Sequence, residues 1–215
     1  MELSLIFLAA YLIGSIPFGL ILTRMAGLGD IRTIGSGNIG ATNVLRTGNK
    51  KLAALTLFLD GFKGWLAVFL AGIYLHQSFP AENCIDCAES VSLMFQPAVG
   101  FVALTVVLGH MFPIWLKFKG GKGVATAFGA ALGLNFFVGI AACLTWLIIA
   151  IIFRYSSLSA LVAIAALPGF ALYLLEYGIN YALPLTLIAV LVWIRHHENI
   201  KRLLNGSEPK IGQKK

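Results

Sequence analysis

Long apolar stretches alternate with short polar segments along this sequence. The hydrocarbon core of a bilayer is about 30 Å thick and a helix rises about 1.5 Å per residue, so about 20 apolar residues can cross it. Six stretches approach or exceed that length: residues 3–23, 52–75, 91–116, 124–153, 158–175 and 179–194. This pattern predicts an all-α polytopic membrane protein.

One of these stretches is too long for a single straight crossing. Residues 124–153 would form a helix of about 45 Å. Three residues predict a break inside it: Gly133, Asn135 and Gly139. In its first half, Ala125, Gly129 and Gly133 recur every four residues, which permits close packing against another helix.

The distribution of basic residues favours two crossings over one. A single crossing would place the basic C-terminal segment outside the cell. Two crossings leave Lys63 inside a span and place every other Lys and Arg on the cytoplasmic side, where membrane proteins concentrate these residues. The sequence therefore predicts seven transmembrane helices, with the N-terminus outside and the C-terminus cytoplasmic.

Three polar, glycine-rich loops fall on the cytoplasmic side of this predicted topology, at about residues 24–51, 117–124 and 195–212. Residues 1–215 are predicted to form one integral membrane domain, and three such loops on one face predict a composite site. The chain is 59% hydrophobic and 12% charged, against about 25% charged residues in soluble domains. In a membrane protein, a net charge of +7 indicates basic loops that set the orientation of the spans and contact anionic lipid, rather than binding of nucleic acid.

The first loop contains the run from Gly35 to Arg46, which is the longest polar, glycine-rich stretch of the chain. Flexible backbone N–H groups beside an arginine suit a phosphate or another oxyanion. The candidate binding residues are Ser36, Gly37, Asn38, Thr42, Asn43 and Arg46. The alternative interpretation is a flexible connector between two helices.

The second loop predicts another anion site, because a helix N-terminus offers unpaired N–H groups and a positive dipole end. Its candidate residues are Lys119, Gly120, Gly121, Lys122 and Gly123. A Walker A loop would need Gly at position 116 and Ser or Thr at 123, but Leu116 and Gly123 stand there, so ATP is not indicated. The alternative interpretation is lysines that contact anionic lipid.

The third loop begins at the end of the last span. Arg195 and Asn199 share a helix face with Arg202 if the helix continues, because they are four and three residues apart. His196 is a candidate general base or hydrogen-bond donor. The alternative interpretation of this cluster is an anchor at the membrane interface.

Charged and titratable residues also occur in or near the spans. Asp60 and Lys63 lie three apart within a span, where charges are costly unless paired or facing a polar interior. They are interpreted either as a structural ion pair or as part of the site wall. His110, just before the second loop, is interpreted as a packed helix-end residue or as a site-wall residue.

Several familiar chemistries have no signature here. The sequence lacks a histidine followed five residues later by aspartate, a G-x-S-x-G elbow, and a set of residues spaced to hold a metal. Cys84 and Cys87 lie in the predicted external loop, where they could pair. An enzyme with this sequence is expected to grip anions and position reactants rather than use a covalent triad.

Four motifs together carry a family resemblance: SGNIGATNVLR, LDGFKG, GHMFP followed by KGGKGVAT, and RHHENIKRLLNG. In this order they resemble the acyl-phosphate:glycerol-3-phosphate acyltransferases of bacterial membranes. The resemblance implies transfer of a fatty acyl group from acyl phosphate to the 1-hydroxyl of glycerol 3-phosphate, which gives lysophosphatidic acid and phosphate. It also implies a multi-pass enzyme of the cytoplasmic (inner) membrane with its site facing the cytoplasm, no cofactor, contact with membrane lipids, and a soluble partner enzyme that makes acyl phosphate.

The resemblance and the loop chemistry give a working mechanism. The leaving phosphate is assigned to Ser36, the backbone of Gly120 and Gly121, and Lys122. Glycerol 3-phosphate is assigned to Asn43, Arg46, Lys119, His196 and Asn199, with Arg195 beside them. Two routes for the hydroxyl proton stay open, to the leaving phosphate itself or to His196. The competing function is an organic-phosphate transporter.

Overall fold

The computed structural model describes residues 2–78 and 87–213, and every regular element in them is helical. The α-helices are α1 (Glu2–Gly14), α2 (Phe18–Met25), α3 (Ala41–Val44), α4 (Lys50–Ser78), α5 (Cys87–Met111), α6 (Val124–Leu134), α7 (Phe136–Phe153), α8 (Ser156–Leu174), α9 (Ile179–Arg195) and α10 (His197–Leu204). Cys84 lies outside the described residues, so whether it pairs with Cys87 stays open.

Five helical segments in the described residues are long and apolar enough to span a membrane. They are residues 3–25, α4, residues 95–116, α7 and α8. Helices α9 and α10 pass the same test together and meet at a 62° bend, which gives up to six spans. The prediction of an all-α polytopic membrane protein is confirmed, whereas seven spans and the terminal orientation stay predictions. Helix α6 has 11 residues, about 16 Å of helix, which is shorter than the bilayer core.

The predicted break in the long apolar stretch occurs at Asn135. Its backbone is extended, and its side-chain oxygen accepts hydrogen bonds from the N–H groups of Phe137 (2.9 Å) and Val138 (3.3 Å). This is N-capping, in which a side chain replaces the missing intrahelical acceptor. Asn135 thus ends α6 and starts α7.

Helices α4 and α6 pack backbone against backbone. A Cβ on Gly129 would overlap the carbonyl oxygen of Gly61, and a Cβ on Gly64 would overlap the carbonyl oxygen of Thr126. A Cβ on Gly133 would come within 2.9 Å of the Trp65 carbonyl oxygen. The small-residue repeat therefore does permit close packing, as predicted. This packing fixes the start of α6 against α4.

The first apolar stretch is divided into α1 and α2 at Pro17, which the prediction of one uninterrupted span missed. The break leaves backbone carbonyl groups without helical donors. Trp115 Nε1 donates to the Ser15 carbonyl oxygen at 2.9 Å, and Lys63 Nζ donates to that of Ile16 at 2.8 Å. The break is therefore tied to α4 and to the second loop.

A small apolar cluster joins the first two loops. Leu116, directly before the second loop, packs against the buried cluster of Ile31, Ile39 and Val44 of the first loop and Leu20 of α2. The third loop contacts the second through Arg195, as described below. All three polar loops consequently meet at one end of the bundle.

The close contact of α4 with α6 predicts a steep cost for the smallest substitution. We expect Gly129→Ala to destabilise the protein by about 1–3 kcal/mol, the usual range for overpacking, because the added methyl meets a backbone carbonyl group. Gly72→Ala on α4 is the matched control, since its Cβ would meet nothing within 4 Å. Thermal unfolding in detergent measures both; equal midpoints would contradict the prediction.

Candidate active site

One buried side chain organises the first loop. Asn43 is 2% exposed, and its Nδ2 donates to the carbonyl oxygens of Ile31 (2.8 Å) and Ile34 (3.2 Å). Its Oδ1 accepts from the Ser36 N–H at 3.2 Å and from the Ser36 hydroxyl at 3.4 Å. The amide is thus used within the loop, where it orients the exposed Ser36. In this structure both ends of the amide are bonded within the loop, and direct contact of Asn43 with glycerol 3-phosphate stays a prediction.

Arg46 lies against the turn that carries Ser36. Gly35 has φ of +58°, in the left-handed region that favours glycine. A Cβ there would overlap the Arg46 guanidinium and the Asn43 amide oxygen. Ser36 and Arg46 are therefore neighbours, and both are exposed. Three other predicted residues belong to the same loop: exposed Gly37 and Thr42, and half-buried Asn38.

The second loop turns back onto the end of α5. The N–H groups of Gly120 and Gly121 donate to the carbonyl oxygens of Met111 and His110, each at 3.0 Å. Both N–H groups therefore already have acceptors in this structure, and their binding of a phosphate stays a prediction. The glycines also permit close approach, since a Cβ on Gly120 would overlap the His110 carbonyl oxygen and one on Gly121 would overlap its ring.

The N-terminus of α6 is the candidate source of unpaired backbone donors in this loop. Gly123 is its N-cap, with φ of +85°, and it makes no side-chain capping bond. The first N–H groups of a helix lack intrahelical acceptors and carry the positive end of the dipole. These donors directly follow Lys122, so a backbone anion site is better placed here than at Gly120 and Gly121.

The third loop is docked on the second by Arg195. Its Nη2 donates to the Gly120 carbonyl oxygen at 2.8 Å and its Nε to the Gly121 carbonyl oxygen at 3.3 Å. The guanidinium also lies 5.6 Å from the centre of the Phe112 ring. Arg195 thus holds the peptide groups that precede Lys122, and in this structure its donors face the protein rather than a ligand.

Glu208 is a site residue that the sequence interpretation missed. It is buried, and its carboxylate accepts hydrogen bonds from Ser157 (2.7 Å), Asn199 (2.6 Å) and Arg202 (2.6 Å). Burial opposes its ionisation, but these hydrogen bonds outweigh burial and lower the pKa of Glu208. The sequence did contain an indication of this role, because Glu208 is an acidic residue in a largely basic segment, two residues after Gly206.

Glu208 fixes the orientation of the Asn199 amide. An ionised carboxylate only accepts hydrogen bonds and an ammonium only donates them. The Nδ2 of Asn199 donates to Glu208, and its Oδ1 accepts from Lys122 Nζ. Lys122 is thereby held by one of its three N–H groups, which leaves two for a ligand. The structure thus joins Lys122 and Asn199, which the working mechanism assigns to the leaving phosphate and to glycerol 3-phosphate.

Like charges surround Lys122. Burial, followed by the positive charge of Arg202, lowers its pKa to about 8, and Arg195 and Arg46 act in the same direction. The carboxylate of Glu208 opposes them and raises the pKa. Lys122 is thus close enough to Arg46 and Arg202 to connect the first and third loops electrostatically, and the cluster has a surplus of positive charge.

Two further predicted site residues, His196 and Lys119, differ in their exposure to solvent. His196 is buried at 4% exposure, and its Nδ1 lies 2.8 Å from the Val192 carbonyl oxygen. Since a carbonyl only accepts, Nδ1 carries the proton of the neutral ring and Nε2 holds the lone pair. Lys119 is exposed, and its side chain has no hydrogen bond or ion pair within the described residues.

Asp60, Lys63 and His110 form a buried group beneath the second loop. Lys63 Nζ lies 2.7 Å from Asp60 Oδ1 and 3.0 Å from His110 Nδ1. The ring of His110 packs under Gly121. Both interpretations of these residues therefore have support, because the pair is a buried ion pair and His110 touches the loop.

The fold and the site define an integral membrane protein with a cluster of cationic side chains at one end. A family profile described as Glycerol-3-phosphate acyltransferase matches residues 4–206. The glycerol-3-phosphate acyltransferase of Paramagnetospirillum magneticum is 55% identical over 215 residues, covering 100% of this chain and 96% of that protein. The one from Rhodospirillum rubrum is 51% identical over 208 residues, covering 97% and 90%.

Solved structures agree with the relatives. The crystal structure of PlsY, an integral membrane glycerol 3-phosphate acyltransferase, in its glycerol 3-phosphate form has a TM-score of 0.84 at 37% identity. That match covers 99% of this chain and 96% of PlsY. The lysophosphatidic acid form has a TM-score of 0.82 at 36% identity. The chain belongs to the glycerol-3-phosphate acyltransferase family, which confirms the resemblance, and the transporter alternative is not supported.

The coupling of Lys122 to Glu208 predicts a change in pH dependence. An anion-binding ammonium is needed in its charged form, so kcat/KM is expected to fall as pH rises through about 8, the pKa of Lys122. Glu208→Gln removes the carboxylate that raises this pKa. We therefore expect the variant to lose activity at a lower pH than the wild type.

A matched control is Glu198→Gln, which removes an exposed carboxylate from α10 that pairs with Lys201. Profiles of kcat/KM against pH for the two variants and the wild type measure the effect. A Glu208→Gln profile whose basic limb coincides with that of Glu198→Gln would show that Glu208 does not set the charge of Lys122.

Proposed function

We propose that this chain transfers a fatty acyl group from acyl phosphate to the 1-hydroxyl of glycerol 3-phosphate, giving lysophosphatidic acid and inorganic phosphate. Family membership supports acyl transfer to this acceptor. The observation that carries the proposal for the donor is the held ammonium of Lys122, with Arg46 and Arg202 nearby. Such a surplus of positive charge suits two phosphate-bearing substrates.

The leaving phosphate is assigned to Lys122, Ser36 and the N-terminus of α6. Two N–H groups of Lys122 remain for it, and the exposed Ser36 hydroxyl is presented by a turn that Asn43 fixes. Donors that are fixed before the reaction stabilise charge that develops in the transition state. These groups stabilise both the carbonyl oxyanion and the departing phosphate.

Glycerol 3-phosphate is assigned to Arg46, Lys119 and the third loop. Arg46 is exposed beside the Ser36 turn and serves its phosphate, and Lys119 at the loop surface attracts it. Asn199 and His196 line the third loop, where the hydroxyl is positioned. Arg195 acts on this site through the Gly120 and Gly121 carbonyl groups that it holds.

The hydroxyl proton has two acceptors to consider. The leaving phosphate is one, since its second pKa lies near 6 by analogy with phosphorylated side chains. The Nε2 lone pair of His196 is the other, because Nδ1 is bound to the Val192 carbonyl oxygen. Transfer to the phosphate requires no burial of a new charge, so we favour it and give His196 a role in orienting the hydroxyl.

The membrane arrangement follows from the same proposal. We place seven spans in the bilayer of the bacterial inner membrane, with the N-terminus outside and the C-terminus and three polar loops cytoplasmic. The basic residues of those loops support this orientation. The acyl chain of the donor reaches the site from the lipid, and a soluble enzyme that makes acyl phosphate supplies it at the cytoplasmic surface. Residues 1–215 act as one membrane domain.

Purified protein in detergent tests the reaction. Incubation with palmitoyl phosphate and glycerol 3-phosphate is expected to release phosphate and form lysophosphatidic acid in equal amounts. Each substrate alone is expected to release none above the rate without enzyme. Phosphate release independent of glycerol 3-phosphate, or activity only with acyl-CoA, would refute the proposal.

Variants at three positions test the assigned roles. Ser36→Ala and Lys122→Ala are each expected to lower kcat/KM by about 10²–10³, the usual loss for one preorganised donor. His196→Gln keeps a polar side chain and is expected to lose less, because it is not the base. Initial rates with palmitoyl phosphate measure all three. A His196→Gln loss as large as that of Lys122→Ala would favour His196 as the general base.

A further inference from the structure

A buried polar network lies below the second loop, and the proposed chemistry does not use it. Asp60 and Lys63 on α4 are each 2% exposed, and His110 near the end of α5 is 4% exposed. Charges at membrane depth are costly unless paired. An apolar core of the same size would also pack at this position. The network therefore calls for an explanation beyond packing.

Lys63 is the centre of this network. Its Nζ contacts three acceptors: Asp60 Oδ1 at 2.7 Å, the Ile16 carbonyl oxygen at 2.8 Å and His110 Nδ1 at 3.0 Å. An ammonium has three N–H groups and accepts nothing, so Lys63 donates to the Ile16 carbonyl oxygen and to His110 Nδ1 while its charge pairs with Asp60. Nδ1 is the acceptor of the Lys63 contact, which places the proton of the neutral ring on Nε2, and Asp60 Oδ1 lies 3.5 Å from the same Nδ1.

His110 transmits this arrangement to the second loop in two ways. Its carbonyl oxygen accepts the Gly121 N–H at 3.0 Å. Its imidazole lies so close to Gly121 that a Cβ there would overlap Nε2, Cε1 and Cδ2. The ring thus packs directly against Gly121. Because Lys122 is the next residue, the position of the ring also affects the position of Lys122. Arg195 holds the same peptide groups from the other side.

We propose that Asp60, Lys63 and His110 are positioning residues of the acyl-transfer site. Lys63 and Asp60 fix the His110 ring, and the ring sets the position of Gly121. The position of Gly121 in turn sets that of Lys122 relative to Ser36 and Arg46. Through the Ile16 carbonyl group, the network also connects the break between α1 and α2 to the His110 ring. This inference rests on the proposed function, because it concerns the placement of Lys122 for the same reaction.

A pair of variants separates positioning from stability. Lys63→Met alone leaves the Asp60 carboxylate buried and unpaired, so a lower thermal midpoint is expected. The double variant Asp60→Leu/Lys63→Met replaces the ion pair by apolar side chains and is expected to regain the midpoint. Its kcat is expected to stay about 100-fold below that of the wild type, as for a misplaced reactive group. KM for glycerol 3-phosphate is expected to change far less than kcat.

A second variant tests the ring itself. The amide oxygen of His110→Asn can replace Nδ1 as an acceptor for Lys63, but the side chain lacks the ring edge beneath Gly121. Its thermal midpoint is expected to stay near that of the wild type while its kcat falls. Thr105→Val is the matched control on α5, because it removes a hydroxyl bonded only to the Phe101 carbonyl oxygen and should change neither quantity.

All rates are measured with palmitoyl phosphate and glycerol 3-phosphate in detergent, with the wild type first. An inactive wild type would overturn the proposed function, and this inference with it. An active wild type, together with a double variant that regains both its midpoint and its kcat, would overturn the positioning role alone. A His110→Asn variant with wild-type kcat would also overturn it.

Discussion

Repulsion among cations is the constraint around which this site is built. Arg46, Lys122, Arg195 and Arg202 approach one another at one end of an apolar bundle, where the low dielectric strengthens their repulsion. Burial and the neighbouring positive charges both lower the pKa of Lys122. Three members of this cluster have acceptors: Arg195 has the Gly120 and Gly121 carbonyl groups, Lys122 has the Asn199 amide oxygen, and Arg202 has Glu208.

Arg195, unlike Lys122 and Arg202, is bonded to backbone groups rather than to side chains. Arg195 is bonded to the Gly120 and Gly121 carbonyl groups, and those glycines are bonded to the end of α5. Helix α6 starts three residues after Gly121 and lies backbone to backbone against α4. Because this contact is made largely by backbone atoms, the position of Lys122 depends on helix packing.

Structural features that the bilayer imposes were predictable from the sequence. Features that depend on contact with one residue elsewhere in the chain were not. Bilayer thickness predicted the apolar spans and the break at Asn135, and glycine spacing predicted close packing of α6. Two of the donors to Glu208, Asn199 and Ser157, lie 9 and 51 residues away along the chain. The periodicity of apolar residues does not predict such pairs. The inward amide of Asn43 and the paired N–H groups of Gly120 and Gly121 were missed for the same reason, since the direction of a polar group is set by tertiary contacts.

The carboxylate of Glu208 has a consequence for how the protein is made. Ribosomes synthesise the chain from the N-terminus, so Lys122 and the arginines of the cluster leave the ribosome before Glu208 does. Until that residue folds back between α8 and α10, the Asn199 amide lacks the acceptor that orients it towards Lys122. A partly synthesised chain can thus hold every transmembrane helix and still have an unassembled site. Lys122 is therefore held in this arrangement only after the segment from Arg195 to Glu208 has been synthesised and has folded against α8.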